Sequence, residues 1–179
     1  MEARELPEPK PQPFELVLRI RHPSMDPADI SSVLQIDAEH CFKAGEPRRP
    51  QNDTAPTARR MSASSSVHTE TYWLATLNPG WWPTDLPFGV QASTYAATRS
   101  GEMMTSMARG MLARALILCI GRVLRPHAEF LRRIQSEGGE VRLLVEVNTA
   151  IVDGLTVPPE LARELGAAGV PVDFEFSAS

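Results

Sequence analysis

The chain has 179 residues, of which 42% are apolar and 22% charged, with a formal net charge of −4 at pH 7. These are the proportions of a single soluble globular domain, and the acidic balance argues against a nucleic-acid binder, whose contact surface is normally basic. The longest unbroken apolar stretch, residues 115–120, falls far short of the roughly 20 needed to cross a bilayer, so no membrane span is expected.

Residues 1–13 carry Pro7, Pro9, Pro11 and Pro13 among charged residues, with no apolar run. They read as a flexible Pro-rich tail without a signal peptide. Residues 14–179 then read as one domain. Residues 14–20 alternate: Phe14, Leu16, Leu18 and Ile20 oppose Glu15, Val17 and Arg19. A period of two is that of a strand with one face buried.

After the turn His22-Pro23-Ser24-Met25, Asp26 is a good N-cap. Pro27 suits the first helical position, and a short helix should run through Leu34 with Ile30, Val33 and Leu34 as its stripe. Residues 46–66 lose all periodicity and read as a flexible loop. Residues 67–77, with Tyr72 and Trp73, are a second strand candidate that stops at Asn78-Pro79-Gly80. Residues 78–101 read as a surface excursion containing Trp81 and Trp82.

Residues 105–124 form the most helical segment. Ala108, Leu112, Leu116, Cys119 and Val123 share one side, while Gly110, Arg114, Gly121 and Arg125 share the other. The small residues beside those arginines would suit close approach of a partner, although a solvated face is the default. Pro126 must end or kink this helix. A second helix over residues 126–137 should turn Leu131 and Ile134 inward and stop at Gly138-Gly139.

Residues 141–147 alternate again. A turn around Asp153-Gly154 follows, then a helix opened by Pro158-Pro159-Glu160, anchored by Leu161 and Leu165, and stopped by Gly169. Residues 170–176 make the last alternating strand. The expected fold class is α+β, a two-layer sandwich with a mainly antiparallel sheet of about four strands and helices on one face. Phe14, Leu16, Leu18, Leu143, Val145, Val172 and Phe174 should lie beneath the helices. Arg19, Arg142, Glu146, Asp173 and Glu175 should face outward and form weak cross-strand pairs.

In this order the residues resemble a bacterial family, domain-of-unknown-function 4279. The likeness rests on the first strand with His22-Pro23, then Asp26-Pro27, Ile30, Leu34 and Ile36, the turn Gly45-Glu46-Pro47-Arg48, and Trp73. It continues through the helices either side of Leu124-Arg125-Pro126, then Gly138-Gly139, Gly154, Pro159-Glu160-Leu161 and Gly169–Asp173. It spans residues 14–176. Gln35 stands where the family pattern has glycine, Phe174 where it has a β-branched residue, and the excursion is extra. The resemblance implies a bacterial source and sharpens the fold. It implies no activity.

His22 and Asp26, four apart across a turn, are the candidate catalytic residues, as a base with an orienting carboxylate. The competing account is that Asp26 caps the helix and His22 ends a strand. His40-Cys41 with His22 or His68 could in principle hold zinc, but adjacent residues rarely face one metal and no ligand spacing supports it. No metal and no cofactor is expected. Arg48, with Arg49, Arg59 and Arg60, could clamp an anion. Trp73, Trp81 and Trp82 join Arg48 as candidate ligand contacts, since aromatic residues outside a core are typical of binding surfaces. Trp81, Trp82, Phe88 and Tyr95 could equally fold back over the open sheet face.

Cys41 and Cys119 have no paired spacing, and Cys119 sits in an apolar helical run. That pattern fits an inert core thiol and a reducing, cytoplasmic compartment. No nucleophile elbow, phosphate loop, metal signature or recognisable acid pair is present in the sequence. The expectation is a binding or interaction protein without catalytic machinery, with a protein partner or a homodimer. The alternative is a small hydrolase-like or anion-binding enzyme, which requires His22, Asp26 and Arg48 to converge in one cleft.

Overall fold

The computed structural model describes residues 13–48, 67–77, 101–150 (backbone only over 101–109) and 156–177. Five strands form one sheet: β1 (Phe14–His22), β2 (His40–Phe42), β3 (Thr71–Thr76), β4 (Glu140–Asn148) and β5 (Val172–Ser177). Their spatial order is β2-β3-β1-β4-β5. All neighbours pair antiparallel except β4 and β5, which are parallel and joined across the α-helix Pro159–Ala168. The class is α+β, as expected, with one strand more than the sequence suggested. β2 was missed because three residues are too short to show a period.

The helices are α1 (Pro27–Leu34), α2 (Gly101–Cys119), α3 (Ala128–Ser136) and α4 (Pro159–Ala168). One core joins Leu16, Leu18, Ile20, Trp73, Ala75, Val141, Leu143, Val145 and Val147 of the sheet to residues of all four helices, among them Ile30, Leu116, Leu131 and Leu161. Alternation within each strand and the register between strands put all of those strand residues on one face. The described helices therefore pack on one face. Phe14, Val172 and Phe174 are partly buried at the margin of the same core.

Local chemistry sets the element ends. The Asp26 side chain accepts from the Ala28 N–H at 2.9 Å, with Pro27 at the first helical position. α1 ends at Gln35 in the left-handed region, φ 55°. α2 starts at Gly101, earlier than the 105 read from periodicity, so the excursion ends before it. Ahead of Pro126 the helix widens into a π turn, Ile120–Leu124, closed by Arg125 N–H donating to Ile120 O at 2.8 Å. The proline ring cannot follow an α turn without colliding with the carbonyl four residues back. α3 then starts at Ala128 rather than 126.

Gly138, at φ 85°, turns the chain out of α3. Gly139 admits the close approach of β1, since a Cβ there would lie 2.7 Å from Arg21 O and 2.9 Å from His22 Cδ2.

The loop expected over 46–66 begins inside a pinned turn. Gly45 N–H donates to His68 O, His68 N–H donates to Glu46 O, and Pro47 bridges Val67. Residues 1–12, 49–66, 78–100 and 151–155 lie outside the described residues, and with them most of the tail, loop and excursion and the turn at Asp153-Gly154. No helix among the described residues is long and apolar enough to cross a membrane.

Candidate functional site

His22 and Asp26 both serve the turn between β1 and α1. His22 is 5% exposed. Its Nδ1 accepts from the backbone N–H of Ser24 at 3.1 Å and of Met25 at 2.8 Å. In this arrangement the ring proton is on Nε2, which faces Glu137 Oε2 at 3.3 Å without an aligned hydrogen bond. Beside it, the buried Thr71 hydroxyl donates to Met25 O at 2.7 Å and accepts from Ala44 N–H at 3.1 Å. The histidine and threonine thus pin one turn to the next strand.

Asp26 uses both oxygens. Oδ1 holds the helix cap and Oδ2 accepts from Lys43 Nζ at 2.6 Å. The hydrogen bond from Lys43, with the Ala28 N–H second, holds the Asp26 carboxyl below its ordinary value of 3.8, and the same contact raises Lys43. Arg48 is exposed beside the Pro47–Val67 bridge. No hydrogen bond or ion pair among the described residues joins His22, Asp26 and Arg48. Asp26 takes the capping role, and Glu137 is the carboxylate nearest the His22 ring.

Trp73, expected as a ligand contact, is instead placed in the core: it is fully buried on the helix-covered face, and its Nε1–H donates to Ser31 Oγ of α1 at 2.9 Å. Its inward parity, opposite Ile20, accounts for this. Trp81, Trp82, Phe88, Tyr95, Arg49, Arg59 and Arg60 lie outside the described residues. His40 and Cys41 are neighbours on β2 and so point to opposite faces, and His68 stacks on Phe42 with centroids 3.8 Å apart. Among the described residues no group of three His, Cys, Asp or Glu side chains is placed to hold a metal. Burial pushes the Cys119 thiol up to about 12, so it stays protonated at neutral pH.

The other face of the sheet carries the unspent chemistry. Strand register arranges its side chains in rows. One row runs Phe42, Tyr72, Arg21, Glu140, and the next runs His40, Leu74, Arg19, Arg142. A third runs Thr76, Val17, Leu144, Asp173, and the last runs Glu15, Glu146, Glu175. Tyr72 stacks on Phe42 at 5.1 Å, and the Arg21 guanidinium lies 5.9 Å from the Tyr72 ring centroid. Arg142 is held within the chain at two nitrogens, with Nε donating to Glu140 at 2.5 Å and Nη1 to Asp173 at 3.0 Å. Those two carboxylates, Asp173 foremost, raise its pKa further.

Arg19 differs from both neighbours. It sits directly across from the cationic Arg142 and across from the apolar Leu74, with no carboxylate beside it. Its Nε is buried without a hydrogen-bond acceptor. Arg21 Nε is likewise buried and unpartnered, although its Nη1 lies 3.6 Å from Glu70. At the far end of the face, three glutamates on adjacent strands stand side by side. Alternation in residues 14–20 pointed Arg19 outward, but which residue faces which depends on register, and no local pattern encodes that.

No protein-family model, curated protein or solved structure matches this chain. The fold and the geometry of this face therefore carry the functional argument.

Proposed function

We propose that the protein is an interaction module without catalytic machinery, and that its contact surface is the outer face of the sheet. One observation carries this reading. Arg19, on the central strand, keeps a desolvated guanidinium nitrogen with no acceptor: its own row holds no carboxylate, and Glu140 and Asp173 of the flanking rows are bound to Arg142. A buried donor without an acceptor costs stability, and an outside acceptor restores it. The partner class is protein rather than nucleic acid, because the same face carries Glu15, Glu140, Glu146, Asp173 and Glu175 against three arginines. The resemblance to the domain-of-unknown-function 4279 pattern supports a bacterial source, and the unpaired Cys41 and Cys119 support a reducing, cytoplasmic setting.

The test compares the two faces in extract of the native host. A photo-crosslinking residue at Leu74, on the outer face, should give a discrete protein adduct that Arg19→Glu removes. The same residue at the exposed Ser32 of α1 should give none. Equal adducts from both positions, or an adduct at Leu74 indifferent to Arg19→Glu, would sink the reading.

A further inference from the structure

We infer that the outer face binds a second copy of this chain, sheet against sheet, about a two-fold axis lying along the row Thr76, Val17, Leu144, Asp173. The inference rests on the interaction reading and names its partner. The row of Arg19 and Arg142 lies two residues to one side of Val17 and Leu144, and the row of Glu15 and Glu146 lies two residues to the other. At about 3.3 Å per residue, each charged row stands roughly 6.6 Å from the axis.

A rotation about that axis turns the face over and exchanges the two sides. Glu15 of one protomer then meets Arg19 of its partner, on the same strand of the fold. Glu146 meets Arg142 in the same way. The closed two-fold makes each contact twice. Packed sheets cross at about 30°, which displaces facing residues at this radius by about 3.5 Å, within the reach of Arg and Glu side chains.

Three features of the face fit this arrangement and no uniformly acidic or basic partner. The first is the unpartnered Arg19, which receives its carboxylate from Glu15 of the other protomer. The second is the line of three glutamates, a repulsive alignment within one chain, two of which, Glu15 and Glu146, face arginines across the axis. The third is the axis row itself. Val17 and Leu144 are 5% and 7% exposed, and rows of opposite charge flank them, so turning one face over on another brings opposite signs together. Because these two residues offer little apolar area, charge carries the association, and salt must weaken it.

Light scattering coupled to size exclusion, over a concentration series at low and high salt, tests this on the unaltered chain. A dimer is expected that dissociates as salt rises. Arg19→Glu and Glu15→Arg should each weaken it by roughly tenfold or more, with thermal melts showing both variants folded. Mixed in equal amounts, the two variants should regain the dimer, because each supplies the charge the other lacks.

Arg19→Gln, a milder change, should fall between. A monomer at every concentration in low salt would overturn the inference, as would a dimer insensitive to salt or failure of the mixture to recover. A monomer that still gives the foreign adduct at Leu74 would remove the second copy and leave the interaction reading standing. A salt-sensitive dimer whose Leu74 adduct ignores Arg19 would remove both.

Discussion

The two faces of β1 are made by alternate residues of one nine-residue strand, and they are in opposite states. On one side Leu16, Leu18 and Ile20 vanish into a core shared with all four helices. On the other side Glu15 and Arg19 stand in cross-strand rows whose charges match badly within the chain, glutamate against glutamate and arginine against arginine, while Arg21 faces Glu140. The helix-covered face is where the sequence is satisfied. The outer face is where it is frustrated, and frustration that persists in a native fold marks surfaces shaped by something outside the fold.

The largest effects should come from the satisfied side. Gly139→Ala would place a methyl group 2.7 Å from both a β1 carbonyl and Ile134. The carbonyl cannot move without breaking the sheet, so a loss of about 3 kcal/mol or outright failure to fold is expected in urea titrations. Trp73→Phe removes the indole N–H that serves Ser31 and leaves a void. Its expected cost is about 2 kcal/mol, with Ser31→Ala recovering little of it.

Intermediate effects belong to the turn that joins the faces. Asp26 has a depressed carboxyl pKa, so its contribution is fully present above the unfolded value of 3.8 and fades as pH falls through the lower folded value. Asp26→Asn should flatten the acid limb of a stability–pH curve and leave the limb above pH 5 unchanged in slope. Gln35→Gly should stabilise by about 0.5 kcal/mol, because φ 55° strains a side chain there and glycine relieves it despite its unfolded-state entropy.

The smallest effect, and the one that most sharpens the contrast, is on the outer face. Glu146→Gln removes a charge standing between Glu15 and Glu175. In dilute monomer it should stabilise by roughly 0.2 kcal/mol at low salt and by nothing at high salt. A loss of stability instead would mean that the glutamate row is compensated within the chain.

Layering, most elements and the inward residues were legible in the sequence because each depends on local periodicity. Asp26 as cap, Gly138-Gly139 as stop and Cys119 as a core thiol all follow from neighbours a few residues away. What escaped had non-local causes. β2 exists because β3 offers it an edge, and the π turn exists because Pro126 must be accommodated within a packed helix. Trp73, a candidate ligand contact by residue type, is core because register sets it opposite Ile20. The arginine and glutamate rows could be seen only once strands from opposite ends of the chain lay side by side. Gln35 also escaped: it takes φ 55°, a conformation that glycine favours, and nothing in the apolar pattern of the helix before it marks the position.

The central position of β1 has a consequence for how the molecule comes to be. Its two neighbours are β3 and β4, and Phe14 aligns with Val147, most of the chain away. During synthesis this apolar strand emerges first among the five and waits for the α3–β4 unit before its second edge is covered. Pairing over such separation makes folding slow and late. Until β4 arrives, the chain carries an open, sticky strand, so a ribosome-stalled fragment ending before residue 140 should be a chaperone client or an aggregate.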